Sequence, residues 1–205
     1  MLYSGPVGES DRRLTLLTGE LGKISAFARG ARRPGSSLMA AMRPFTYGQF
    51  ELYQGRDAYT MDAISDARYF DHISKDLESS CYGTYFMEML GYYGHEALEA
   101  YDMVNLGFAS LLALEKKLIP CRLIRAIFEL KLLYINGEYW PQPRKELAPG
   151  AVAAWQYVLS SSYDKLFSFN LEGTVMKQFC SHVDELRDYY IDRKFKSLEV
   201  LESLL

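Results

Sequence analysis

Four cations and no acid fall within KISAFARGARRPGS, residues 23–36. At the two-residue period of a strand the run divides cleanly. Ile24, Ala26 and Ala28 take one face, and Lys23, Ser25, Phe27 and Arg29 the other, with Arg32 and Arg33 following at a turn. Cations of this kind neutralise phosphates, and an aromatic ring beside them offers any base a face to stack on. Arg12, Arg13, Lys23, Arg29, Arg32 and Arg33 therefore form a candidate phosphate track. Phe27 lies opposite Ile24 in strand alternation, and Tyr47 and Tyr53 lie opposite Phe50, so all three are candidate base platforms. A second reading competes: the rings close a domain interface and the cations only solubilise.

The charge distribution favours the first reading. The chain carries a net −3, yet residues 1–56 hold eight Lys or Arg against four acids, which leaves the remainder strongly acidic. A polyanion would be met by the first quarter of the chain. Other chemistry finds no foothold. No phosphate-binding glycine loop, GxSxG or HExxH is present, and His72, His95 and His182 sit apart without partners at ligand spacing. Asp184, Glu185 and Asp188 read as a solvated helix face. The Met and aromatic residues of 82–93 read as core packing. Cys81, Cys121 and Cys180 form no CxxC pair, which fits buried thiols in a reducing cytoplasm. No enzyme activity, cofactor or metal is expected.

The elements that must position the cations are strands. RRLTLLT, KISAFAR, FTYGQFELY and AYTMDAIS are short runs separated by GELG, RRPGSS and QGRD, and MLYSG ends a short first strand. Such strands in some 70 residues predict a small closed or nearly closed barrel. From residue 71 the period becomes helical. Ile73, Leu77, Tyr82, Tyr85, Phe86 and Met89 make one stripe, followed by helices in EALEAYDMVNLGFASLLALEKK, CRLIRAIFELKLLYINGEY, GAVAAWQYVLSS and LEGTVMKQFCSHVDELRDYYIDRKF. The expected class is α+β: an N-terminal OB-fold barrel over 1–70, then an all-helical domain over 71–205. The apolar runs are too short and too often broken by charge to span a membrane, and MLYSGPVGESD has no secretory character.

GPVGESDRRLTLLTGELGKISAFARGARRP, PFTYGQFELYQGRDAYTM, LFSFNL and RKFKSLEVLE, in this order and spacing, resemble the bacterial DNA repair family RecO. The resemblance implies an OB-fold followed by a helical domain, and a recombination mediator of the RecF pathway. Such a protein binds single- and double-stranded DNA and anneals complementary strands. With RecR it loads recombinase onto DNA coated by single-strand-binding protein, in the cytoplasm and at the nucleoid. Family members begin several residues earlier, so the first strand is expected to be short here. Many carry a zinc module with two CxxC pairs after the segment matching LLYINGEY. Only WPQPRKEL stands there in this chain, so no zinc ligand is carried over.

The resemblance also implies a pocket for the acidic, apolar C-terminal tail of single-strand-binding protein. CRLIRAIFELKLL is the candidate: Arg122 and Arg125 with Ile124 and Phe128 beside them, or else a helix with an ordinary solvated edge. Arg193, Lys194 and Lys196 extend the DNA track or cap the preceding helix. The competing function is a protein-interaction adaptor that docks acidic peptide tails and touches DNA only incidentally.

Overall fold

Small apolar side chains on one face of β3 (Gly22–Ala28) let the sheet curve tightly over its own core. Ile24, Ala26 and Ala28 are buried there, while Lys23, Ser25 and Phe27 are half-exposed on the other face. In this computed structural model, which describes residues 1–56 and 58–204, β3 is the central strand of five. Asp57, in the expected QGRD turn, and Leu205, the end of the expected helical domain, lie outside the described residues.

β1 (Tyr3–Val7), β2 (Asp11–Thr18), β3, β4 (Tyr47–Gln54) and β5 (Tyr59–Arg68) form one sheet in the order β1-β2-β3-β5-β4. All neighbours are antiparallel except β3 and β5, which pair in parallel through Ala26–Tyr59 and Phe27–Thr60. This is the OB strand order, but the sheet is not closed: β1 and β4 are its two ends. Near that opening the Met1 nitrogen donates to Thr46 O at 2.7 Å, just before β4. Two register shifts along β4 bend it. Leu14, Leu16, Ile24, Ala26, Ala28 and Met61 line the interior, and Leu38, Ala41 and Met42 fill it from the β3–β4 connection through a 3-10 turn at Ala40–Met42.

The helical part contains α1 (Asp71–Lys75), α2 (Leu77–Tyr93), α3 (Tyr101–Lys116), α4 (Cys121–Ile135), α5 (Pro149–Ser160), α6 (Gly173–Tyr190) and α7 (Lys196–Leu204). The stripe expected from residue 73 onward is broken at Asp76, whose backbone is extended, and Leu77 is 65% exposed rather than buried. α7 lies beyond the last helix that the sequence periodicity predicts. α4 begins after Pro120, stops at Asn136-Gly137, and is buried from Cys121 to Leu133 at every position but Arg122. A helix buried nearly all round sits at a centre, where its buried Arg125, Glu129 and Lys131 must find partners, and α5 and α6 pack against it.

Compactness divides the chain into two units. One holds residues 1–77 and 87–104; the other holds 78–86 and 105 onward. In the second, Phe86 stacks on Phe128 with ring centres 4.2 Å apart, and Tyr85 meets Phe195 edge-on at 5.6 Å.

Candidate nucleic-acid interface

Strand register lines up one row across the outward face of the sheet. Gly5 faces Arg13, Arg13 faces Phe27, Phe27 faces Thr60, and Thr60 faces Tyr53. Directly opposite residues share a face at about 5 Å per strand, so a cation and two rings stand within about 15 Å of one another. Arg13 Nη2 donates to Ser25 Oγ at 3.4 Å along this face, and Tyr53 is 66% exposed.

One end of the row is strongly cationic. After β3, Gly30 turns the chain at a φ of +66°, where a side chain would be strained. Its N–H donates to Asp11 Oδ1 at 2.8 Å. Arg32 N donates to Ser10 O at 2.9 Å and Arg32 Nη1 to Gly8 O at 3.1 Å. These bonds pin the RRP turn to the β1–β2 turn, and Arg29, Arg32 and Arg33 are exposed beside Arg13 at that end of β2 and β3.

Three of the expected contacts go elsewhere. Arg12 shares the face of Leu14 and Leu16, and its guanidinium donates to Ser4 Oγ at 2.8 Å and Ser4 O at 3.3 Å. Lys23 sits at the far end of β3, and its ammonium donates to Gly91 O at 2.7 Å. Tyr47 is outward-facing but six residues from Tyr53, about 20 Å along β4, opposite Arg68. Thr60 enters the row only through the parallel β3–β5 pairing, a long-range register no local pattern announces. Arg193, Lys194 and Lys196 are exposed in the other compact unit, with the Arg193 guanidinium 5.6 Å from the centre of the Phe195 ring.

The residues expected to line a peptide pocket do not form an open one. Ile124 and Phe128 are fully buried and Arg125 nearly so, leaving Arg122 alone at the surface. Arg125 Nη2 donates to Asp184 Oδ1 at 2.6 Å, and Arg187 Nη1 donates to the same oxygen at 3.0 Å. Asp184 is thus no solvated acid: burial pushes its carboxyl above the ordinary value while the Arg125 charge opposes the shift. A separate cleft of about 470 Å³ opens along α3, lined by Phe108, Leu112, Lys116, Leu118, Ile119 and Phe167 among others. Sequence reasoning missed it because its second wall comes from the irregular segment after α5. Among the described residues no group of three or more His, Cys, Asp or Glu could hold a metal ion, and no helix is long and apolar enough to cross a membrane.

An OB-ordered sheet defines a fold class whose members bind oligonucleotides or oligosaccharides on the strand 2–3 face, and here that face presents cations and rings. Comparison with known proteins narrows the class. The family model "Recombination protein O N terminal" matches residues 1–70. The DNA repair protein RecO of Alkaliphilus metalliredigens is 34% identical over 137 residues, 67% of this chain and 56% of that protein. Those of Acetivibrio thermocellus (26%, covering 96% of this chain and 92% of the relative) and Caldicellulosiruptor saccharolyticus (30%, 96% and 73%) are similar over nearly all of this chain. The chain belongs to the RecO family of DNA repair proteins. It spans about half the length of some relatives it matches, the Alkaliphilus protein among them.

Proposed function

We propose that this chain is a DNA-binding recombination mediator that does no covalent chemistry. The observation that carries the reading is the row Arg13–Phe27–Thr60–Tyr53 running into the pinned cations Arg29, Arg32 and Arg33. Phosphates are neutralised at the end of the row while bases rest on Phe27 and Tyr53. Contacts of this kind hold single or double strands without reading sequence, and let complementary strands exchange and anneal. The resemblance to the family supplies the rest of the proposal: a cytoplasmic protein at the nucleoid, acting with RecR to load recombinase on strands coated by single-strand-binding protein.

A second reading, an adaptor for acidic apolar tails such as that of single-strand-binding protein, is favoured by the cleft along α3, where Lys116 stands among Phe108, Leu112 and Leu118. One experiment separates the two. Anisotropy of a labelled single-stranded oligonucleotide is followed over a salt series for the wild type and for Arg29→Glu/Arg32→Glu/Arg33→Glu, beside binding of a tail peptide. A mediator loses affinity steeply with salt, about 0.7 log units per tenfold salt for each phosphate contacted, and the triple variant flattens that slope. An adaptor keeps peptide binding and shows no salt-dependent DNA binding for the variant to lose.

A further inference from the structure

The connection Trp140–Ala148 between α4 and α5 has no regular structure, and side chains of α5 and α6 hold its backbone. Pro141 and Pro143 have no N–H to give. Trp155 Nε1 donates to Trp140 O at 3.0 Å, Gln156 Nε2 to Pro141 O at 2.9 Å, and Ala148 N to Gln178 Oε1 at 2.8 Å. At the middle of this strap the backbone is held by Arg144 N, which donates to His182 Nε2 at 3.0 Å. A backbone N–H can only donate, so Nε2 must be bare and the imidazole proton must sit on Nδ1. Nδ1 lies 3.4 Å from Glu185 Oε2.

We propose that His182 is a proton-operated latch, whose charging ejects the Arg144 N–H from the imidazole and releases the backbone at the middle of the strap, while the Lys145 and Ala148 ties to α6 keep its flanks. Adding a proton to Nε2 sets two donors against each other at a 3.0 Å separation. The charged ring keeps its Glu185 contact and gives up the strap. Among the described residues, the charged and aromatic groups that face the ring are Glu185 from α6, Arg144 and Lys145 from the strap, and the indoles of Trp140 and Trp155 at 5.2 and 5.3 Å. Lys145 is itself tied to Glu185 at 2.6 Å, so the strap brings a cation against the same carboxylate. What the opened strap uncovers is aromatic. Arg144 now lies over Trp140 at 4.2 Å and Tyr189 at 4.8 Å, and Trp140 is 6% exposed.

Burial holds the imidazole below its ordinary value of 6.5, with Glu185 partly opposing. A depressed histidine contributes stability that is present above the ordinary value and lost as pH falls through the folded one, because the unfolded chain binds more protons in that window. The latch is therefore shut at neutral pH and opens on acidification.

The test is a pH titration of the isotope-labelled full chain by NMR, reading the His182 ring nitrogens and the hydrogen-exchange protection of the Arg144 amide together. Protection at Arg144 is expected to fall at least tenfold in step with His182 charging, while Ala126 in α4 stays protected. His182→Gln supplies a carbonyl acceptor that does not titrate, and its Arg144 protection should be independent of pH. An Arg144 amide still protected beside a charged His182 overturns the proposal, as does a His182 that stays neutral until the whole chain unfolds. The wild-type titration decides the matter even where the glutamine variant folds poorly.

Discussion

Tyr85 Oη donates to Glu129 Oε1 at 2.6 Å, with Glu129 wholly shielded from solvent. Arg187 Nη1 reaches the same oxygen at 3.2 Å and Arg125 Nε stands 3.8 Å from it, so one carboxylate binds α2, α4 and α6 of the helical unit together. Burial beside that anion drives the Tyr85 hydroxyl well above its ordinary range, and it stays protonated and donating. Glu129→Gln removes the fully buried anion that Arg125 and Arg187 share, leaving them Asp184 at the cluster's edge, and is expected to cost about 3 kcal/mol. Tyr85→Phe removes one bond to a charged acceptor and should cost about 1.5–3 kcal/mol, since Arg187 remains. Urea unfolding of both variants measures this; a glutamine variant as stable as the wild type would show the cluster to be dispensable.

Rings and cations on the sheet should fail differently. Phe27→Ala and Tyr53→Ala each remove a stacking surface, expected to weaken single-strand binding by about 1–3 kcal/mol with the salt slope unchanged. Arg13→Ala should lower that slope by about 0.7 for the single phosphate it releases. Tyr47→Ala, at the far end of β4, should leave both quantities near wild type. Equal losses from Tyr47 and Tyr53 would mean that DNA does not follow the row.

Two-residue alternation made the sheet legible. KISAFAR could bury only Ile24, Ala26 and Ala28 together, and it does. Helices with an apolar stripe and a stop signal were equally plain, α4 with Pro120 before it and Asn136-Gly137 after it. What local pattern could not carry was the destination of charged groups. Arg125 and Glu129 look like an exposed pair four residues apart, yet their further partners are 59 and 58 residues away, on α6. Lys23 looks like one more phosphate contact until the fold brings Gly91 O to it. The platform followed the same rule: Phe27 and Tyr53 were readable as outward-facing, but their shared row needed the β3–β5 register.

Thiol chemistry should sort the three cysteines by burial. Cys180 is fully buried, and desolvation pushes its thiol up to about 11, so it stays protonated and inert at pH 8. Cys121 is buried and Cys81 half-exposed. A disulfide reagent on the native chain should modify Cys81 first and leave the other two until denaturant is added. Peptide mapping reads the order, and early labelling of Cys180 would show that α6 opens readily.

Asp11 gives the sharpest test of how the cations are presented. On charge alone, removing an acid from the basic end of the sheet should strengthen DNA binding. The geometry demands the reverse. Asp11 Oδ1 holds Gly30 N and also accepts from Ser10 Oγ at 3.3 Å, and with the Arg32–Gly8 bond it anchors the turn that carries Arg32 and Arg33. Asp11→Ala leaves the Gly30 N–H without its acceptor, costs about 1 kcal/mol of stability, and lets the turn move. Phosphate contacts then bear an ordering cost that the wild type has already met in folding. The expected result is severalfold weaker oligonucleotide binding despite a more positive chain, with Asp11→Asn, which keeps an acceptor oxygen, restoring most of it. Tighter binding by the alanine variant would show that net charge, and not the pinned turn, sets the affinity.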